Sequence, residues 1–323
     1  MEKTVVIAST SALTFHRHFG NRLIQTDKVS IAQSTNDPSI VLDLTRAVDN
    51  FGPLHVVVDT PGKKGHRAGV VCHTCGLSVP KGTLYSLREG IDVVSIGMAL
   101  VQAALKMDDL AALRLCYELC ADYRMIDLDP SQLIDADGNV APSAFGYVPC
   151  KRLISLAELK EQVTAVKYLR GAKRVLDLLE YVAEGAASPR EVDLAMYVWS
   201  PRRLGGYAFP MGVMNHEVDV DGTTRSSDLL ICGVLALEYD SDEWHGGILK
   251  NSRDSARKKQ LELHGFKVVS VTNGELRHYT AFFDCMRLAA RYLGRELNRP
   301  TGRNVVARME MHRFVNTFHE RLF

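Results

Sequence analysis

The stretch "SDLLICGVLALEYDS", residues 227–241, decides the fold of the second half of this chain. Apolar runs lie on both sides of Gly233, a pattern that predicts two strands joined by a tight turn. If the hairpin is centred on Gly233, Asp228 lies opposite Glu238. Side chains on a strand alternate between faces, so Glu238 and Asp240 share one face. The stretch therefore predicts three carboxylates on one patch, about 5 Å apart across the strand pair.

Three carboxylates beside an apolar strand need a physical reason. Like charges at that separation disfavour their own ionisation, and a low dielectric raises the cost. A divalent cation reverses the sign, and carboxylate oxygens are hard ligands suited to Mg²⁺ or Mn²⁺. The alternative is that Asp228 only begins a strand while Glu238 and Asp240 face solvent. The flanking Leu229, Leu230, Leu235 and Leu237 favour a buried strand over an exposed one.

The elements around this hairpin predict one α/β domain. "ASPREVDLAMYVW", residues 187–199, has Ser188 as N-cap, Pro189 at the first helical position and Glu191 completing a capping box. A strand at "VMNHEVDV" precedes the hairpin. A helix over residues 248–264 ends at Gly265, and the strand "FKVVSVT" follows it.

The first half is expected to be a smaller α+β domain. "LHVVVDT" and "GVVCHTC" read as strands separated by the basic turn "PGKKGHR", a hairpin-like pattern. Long helical patterns follow over residues 97–123 and 153–185. Between them, turn-rich residues 127–149 form the best linker candidate. We therefore expect one domain over residues 1–150 and a second over residues 151–323.

The order of residues from Ser188 to Glu275 resembles the Vsr-like branch of the restriction-endonuclease-like PD-(D/E)XK fold, relatives of the very-short-patch-repair endonuclease. That branch shows a Ser-x-x-Glu helix start, an Asp before an apolar strand, a Glu-x-Asp, a nearby His, and a helix with Asp-x-x-Arg before a Gly and a closing strand. This sequence has these elements in the same order at Glu191, Asp228, Glu238, Asp240, His245, Asp254, Arg257 and Gly265. The resemblance covers about 90 residues.

The resemblance implies a fold, a mixed sheet flanked by helices, and a magnesium site. Asp228 and Glu238 would be the metal ligands, with the backbone carbonyl of Tyr239 joining them. Asp240 stands where the wider superfamily places a Lys, which leaves the general base unassigned. His245 is the candidate base because an imidazole takes up a proton near neutral pH, although a surface His beside Trp244 is an equally good interpretation.

Glu191 has two interpretations: a capping-box residue alone, or a helix-borne carboxylate that also reaches the site. Asp254 with Lys258 fits an ordinary helix ion pair. Four basic side chains of this helix are candidates for DNA-phosphate contacts, or for solvated charge: Arg253, Arg257, Lys258 and Lys259.

Charge is distributed unevenly along a chain of formal net charge +1. Residues 250–313 hold 14 Lys or Arg against 6 Asp or Glu, a local balance of +8. A basic region on a nearly neutral protein suits an anionic partner met by one face, and solubility is the alternative explanation.

The N-terminal half is weakly similar to AbiEi-type antitoxins, through "TSALTFHRHF" and the strand and helix segments that follow it. That similarity implies DNA binding or defence-associated regulation. "CHTC", with Cys116 and Cys120, does not predict a zinc site, because the two cysteines of a strand end point to opposite faces. His16, His18, His66 and His73 are scattered and predict no site.

Composition indicates a cytoplasmic protein. The start has no secretory pattern, and no run of about 18 apolar residues predicts a membrane span. Seven cysteines, an odd number, fit a reducing compartment.

Three function hypotheses follow from the sequence. The first is a Mg²⁺-dependent DNA endonuclease, in phage defence or DNA repair. The second is a non-catalytic DNA-binding regulator or antitoxin that retains a nuclease-like fold. The third is a defence component that binds RNA or a protein partner through its basic C-terminal helices.

Overall fold

A computed structural model describes residues 4–32, 34–46, 52–61, 68–126, 146–220, 223–240 and 258–320, without the side chains of residues 218–225 and 318–320. The chain forms two compact units of mixed α/β structure. The first unit contains residues 1–116 and 153–180, and the second contains residues 117–152 and 181–323. No helix among the described residues is long and apolar enough to span a membrane.

Each unit is built from two segments of the chain, whereas the sequence predicted a single boundary near residue 150. Residues 153–180 return to the first unit, where Gln162 Oε1 accepts a hydrogen bond from the Gly97 amide at 2.9 Å. Arg174 joins the same unit by pairing with Asp109 at 2.6 Å. In the second unit, the Asp122 amide donates to the Ala186 carbonyl at 2.8 Å, so residues 117–152 belong there.

The first unit contains a mixed six-stranded sheet in the order β2-β5-β6-β1-β3-β4. Its strands are β1 Val5–Ile7, β2 Ile24–Thr26, β3 Leu54–Val58, β4 Val70–Thr74, β5 Leu84–Arg88 and β6 Ile91–Val94. The central strands β1 and β6 are buried along their whole length. Asp92 is the one charged residue in them, and its carboxylate pairs with Lys28 at 2.9 Å. Strands β1 and β6 are parallel, as are β3 and β4, and the other pairs are antiparallel.

The helices of the first unit are shorter than the sequence pattern predicted. They are α1 Ser9–Phe19, α2 Leu42–Arg46, α3 Ile96–Ala104, α4 Asp109–Leu119, which runs into the second unit, α5 Leu156–Ala165 and α6 Ala172–Leu179. The continuous helical pattern over residues 153–185 breaks because Gly171, at φ +90°, adopts a left-handed conformation before α6. The pattern over residues 97–123 breaks between α3 and α4.

The predicted hairpin of "LHVVVDT" and "GVVCHTC" is wrong in direction. Strands β3 and β4 are neighbours, but they pair in parallel, with Val56 opposite Cys72 and Val57 opposite His73. The two strands therefore do not form a hairpin. Alternation of apolar residues predicts a strand and its buried face, and it carries no information about the direction of the partner.

The second unit contains the sheet that the sequence analysis expected, in the order β12-β11-β10-β9. Its strands are β9 Gly212–Val220, β10 Thr223–Ile231, β11 Leu235–Asp240 and β12 Lys267–Thr272, and a further pair is β7 Tyr123–Met125 with β8 Tyr147–Pro149. Strands β9, β10 and β11 are antiparallel, and β12 is parallel to β11. Its helices are α7 Pro189–Trp199, α8 Asn273–Arg277, α9 Tyr279–Tyr292 and α10 Arg303–Glu320, and residues 258–263 are also helical.

A buried histidine makes the stability of the first unit depend on pH. His16 is 6% exposed, and its Nε2 donates to the Val94 carbonyl oxygen at 2.8 Å. Burial lowers the pKa of His16 to about 4. Because the unfolded chain takes up this proton near pH 6.5, stability is complete above that pH and falls as the pH drops toward 4.

We expect this histidine to account for about 3 kcal/mol of lost unfolding free energy between pH 7 and pH 4. Urea unfolding at several pH values checks this, because His16→Gln should remove that part of the pH dependence. The exposed His18 of the same helix supplies the control, and His18→Gln should keep the wild-type slope. Equal slopes in wild type and His16→Gln would contradict the expectation.

Candidate functional site

The turn between β10 and β11 fixes the position of the candidate carboxylates. Cys232 at φ +50° and Gly233 at φ +67° make the turn, and the Val234 amide donates to the Ile231 carbonyl at 3.1 Å. The ladder then pairs Ile231 with Leu235 and, two steps on, Leu229 with Leu237. The register is thus centred on Gly233, as the sequence predicted, and the ladder ends at Leu229 and Leu237, one residue before Asp228 and Glu238.

A hydrogen bond attaches Asp228 to the neighbouring strand. Its Oδ2 accepts from the backbone amide of Tyr239 at 2.7 Å. The carboxylate thereby replaces a backbone carbonyl as the hydrogen-bond acceptor at this point of the ladder. It lies beside the backbone of Glu238. One oxygen of Asp228 is engaged in this way, and the hydrogen bond fixes the orientation of the carboxylate.

Glu238 belongs to β11, which lies between β10 and β12 in the sheet. It pairs with Ser270 of β12, is only partly exposed, and has its Oε1 buried. On the opposite face of the same two strands, Leu229 and Leu237 are 0% exposed. The sequence therefore places an acidic position at the end of a hydrophobic hairpin, where burial strengthens electrostatic interactions.

Asp240 follows two residues after Glu238 and pairs with Thr272, the N-cap residue of α8. It shares the face of Glu238, and it is partly exposed. Within the described parts of the chain, no three His, Cys, Asp or Glu side chains are arranged to hold a metal ion. A metal assignment here therefore depends on the pair Asp228 and Glu238, and not on a third carboxylate.

Glu191 is buried at the start of α7 and is 8% exposed. Ser188 is the N-cap, and its Oγ accepts from the Glu191 amide at 3.3 Å, as predicted. The carboxylate differs from the predicted capping box, since it accepts from the amide of Ala187 at 2.8 Å, one residue before the N-cap. Burial raises the pKa of Glu191, while the hydrogen bonds from Ala187, Asn215 and Ser188 oppose that increase.

Asn215 is a site residue that the sequence analysis did not identify. Its Nδ2 donates to Glu191 Oε2 at 2.6 Å and to the Gly185 carbonyl at 2.8 Å. It lies in β9 between residues paired with Ser227 and Leu229, hence at the level of Asp228. At φ +47° it adopts the left-handed conformation that Asn tolerates better than most residues. The sequence signal for this residue is an Asn inside the strand pattern "VMNHEVDV", where an apolar or β-branched residue is more usual.

Four residues thus lie close to one level across the sheet and the start of α7. Asn215, Asp228 and Glu238 occupy successive strands, and Asn215 contacts Glu191. The donor set of two facing carboxylates suits a hard cation such as Mg²⁺, which takes one or two carboxylates and keeps several waters. The residues present therefore fit a magnesium ion held by Asp228 and Glu238.

The remaining predicted site residues are only partly described. His245, Arg253, Asp254 and Arg257 lie outside the described residues. Lys258 and Lys259 begin the helical segment 258–263 and are exposed. That segment is anchored by Leu261, which packs with Ala236 and Val268.

The cysteines fit the interpretation made from the sequence. Cys116 and Cys120 are buried and form no disulfide with a described cysteine, as expected for small apolar residues of a helix and its end. Cys72 and Cys75 are also free, and both are partly buried. Burial raises the pKa of Cys75 to about 11, so this thiol stays protonated at neutral pH.

Comparisons with protein-family models, with curated proteins and with solved structures find no match to this chain.

Proposed function

We propose that the second unit is a metal-dependent phosphodiester hydrolase that acts on DNA. The observation that carries this proposal is the hydrogen bond from the Tyr239 amide to Asp228 Oδ2, which holds the Asp228 carboxylate against the strand segment that carries Glu238, at the end of a buried hairpin. Two carboxylates brought together in this way repel each other unless a cation lies between them.

The order of elements supports the proposal. Helix α7, strands β9, β10 and β11, the helical segment 258–263 and β12 follow one another as the resemblance to the Vsr-like branch implies. The sheet is mixed, and its final strand is parallel to the strand that carries Glu238. Gly265 ends the helical segment at φ +88°.

Each residue of the site has a proposed role. Asp228 and Glu238 would hold Mg²⁺ or Mn²⁺, with the Tyr239 carbonyl beside them, and a bound ion of this kind stabilises charge on a phosphate and acidifies a water molecule. Asn215 keeps Glu191 oriented at the same level of the sheet. His245 is the candidate base, and Arg253, Arg257, Lys258 and Lys259 would contact DNA phosphates.

Supercoiled plasmid is the substrate that tests this function. We expect the purified protein to nick it in Mg²⁺ or Mn²⁺, to lose the activity in EDTA, and to regain it when metal is restored. Activity that persists in excess EDTA would overturn the metal-dependent mechanism. An absence of nicking with either ion would overturn the hydrolase proposal itself.

A non-catalytic DNA-binding regulator is the second candidate, and two observations favour it. By the resemblance to the Vsr-like branch, Asp240 would stand where the wider superfamily has a Lys, and an Asp does not stabilise developing negative charge. Exposed cations are numerous in the same unit, among them Lys258, Lys259, Lys267 and Arg291. This candidate predicts DNA binding that survives EDTA and weakens steeply with salt. The similarity of the N-terminal half to AbiEi-type antitoxins suits it.

A further inference from the structure

Two histidines of the first unit meet on the sheet, far from the carboxylates of the candidate active site in sequence. His55 Nδ1 lies 2.9 Å from His73 Nε2, and the ring centroids are 5.1 Å apart with an interplanar angle of 26°. The sequence assigned His73 no role, because nothing in the spacing of residues 55 and 73 predicts that their strands are parallel neighbours. The pairing of β3 with β4 creates this contact.

The backbone of His55 is fixed on both sides. Its amide donates to Ser11 Oγ at 2.9 Å, and its carbonyl accepts from the Ala8 amide at 2.9 Å. On the other side β3 is paired with β4, the last strand of the sheet. The two imidazoles are therefore presented by rigid backbone at a sheet edge. Both rings are partly exposed, and the neighbouring Val71 is 39% exposed, so solvent reaches this edge.

The separation of the two nitrogens selects a class of ligand. Two nitrogens that are each about 2.05 Å from one ion lie about 2.9 Å apart at a right angle, and about 3.3 Å apart at the tetrahedral angle. The observed 2.9 Å is the length of the hydrogen bond between the two rings, and it is close to the right-angle separation, so the nitrogens need to move little to reach one such ion. Imidazole ligands at right angles are typical of tetragonal Cu²⁺ and Ni²⁺, whereas Zn²⁺ prefers a tetrahedral set.

We propose that His55 Nδ1 and His73 Nε2 form a binding site for a tetragonal transition-metal ion, Cu²⁺ above Ni²⁺ and both above Zn²⁺. Among the described residues, no group of three potential ligands is arranged to hold a metal ion. The proposed site therefore has two protein ligands among the residues that the structure describes.

The proton balance of this site is simple. Without metal, one ring donates its N–H to the lone pair of the other. When the ion binds, the donor ring moves its proton from the ligating nitrogen to its other nitrogen, and both ligating lone pairs face the ion. Burial lowers the pKa of His55. Acid protonates the pair and releases the ion.

Titration of the full chain with CuCl₂ at pH 7.5, followed by calorimetry and by Cu²⁺ electron paramagnetic resonance, tests the site. We expect one site with hyperfine coupling to two nitrogens, and at least tenfold weaker binding in His55→Gln and in His73→Gln. Binding should also weaken at pH 5.5. In matching titrations with NiCl₂ and ZnCl₂, we expect the affinity to decrease in the order Cu²⁺, Ni²⁺, Zn²⁺.

The chain has eleven histidines, so a matched variant must separate this site from the others. His18→Gln removes an exposed histidine of the same unit and should leave the Cu²⁺ site unchanged. Circular dichroism melting shows whether each variant is folded. Equal Cu²⁺ affinity in wild type, His55→Gln and His73→Gln would overturn the proposal and leave the pair as a structural hydrogen bond.

Discussion

Replacing Glu238 with glutamine is expected to lower the rate of plasmid nicking at least a thousandfold. The substitution keeps the size of the side chain and its place opposite Asp228, but it removes the charge that a divalent cation needs. Loss of a ligand that stabilises charge in the transition state costs about 4 kcal/mol or more, which corresponds to about a thousandfold in rate. Because the amide is nearly isosteric, the β10 and β11 hairpin should remain paired.

The control for this substitution lies in the same sheet. Glu217 is an exposed carboxylate of β9, and Glu217→Gln removes one negative charge without touching Asp228 or Glu238. Its nicking rate should stay within a factor of about three of wild type, since surface charges contribute little. If both variants nick equally well, Glu238 has no part in the reaction.

The largest expected loss of stability comes from Gly205→Ala. Gly205 has φ +89°, and a Cβ there would overlap the Ala307 carbonyl oxygen and lie 2.7 Å from the Met311 Cβ. Helix α10 therefore packs directly on the glycine backbone. We expect the free energy of unfolding to fall by about 4 kcal/mol, from the left-handed penalty and from displacement of α10.

The contacts of α10 show what this displacement would cost. Arg308 is 5% exposed; its Nη2 donates to the Gly206 carbonyl at 3.0 Å, and its guanidinium lies 3.6 Å from the centroid of the Tyr207 ring. Met311 and Val315 of the same helix are 0% exposed. A shift of α10 weakens all of these contacts together.

Gly294→Ala separates the two contributions to that loss. Gly294 has φ +67°, and a Cβ there would meet no atom within 4 Å. The Gly294→Ala variant should therefore lose only the conformational part of the unfolding free energy, about 1 kcal/mol. Urea unfolding of both variants measures the difference. Equal losses would mean that contact between Gly205 and α10 contributes nothing to stability.

The sequence predicted well where local chemistry decides structure. Gly233 between two apolar runs was enough to predict the register that pairs Leu229 with Leu237, because a tight turn fixes the alignment of the strands that follow it. Ser188 and Pro189 were enough to predict where α7 begins. In both cases the residues that set the geometry are within a few positions of one another.

Prediction failed where distant segments decide structure. The parallel pairing of β3 with β4, and with it the contact of His55 with His73, depends on how the chain crosses the sheet between them. The role of Asn215 follows only from the pairing of β9 with β10 and from the hydrogen bond between the Asn215 side chain and Glu191. Alternation and propensity describe one strand at a time, and they do not encode its neighbours.

The central claim, that Asp228 and Glu238 share a divalent cation, is tested most directly by Mn²⁺ binding to wild type and to Glu238→Gln, measured by electron paramagnetic resonance. We expect wild type to bind one Mn²⁺ that Mg²⁺ displaces, and Glu238→Gln to bind Mn²⁺ at least tenfold more weakly. Identical Mn²⁺ binding by the two folded proteins would contradict it.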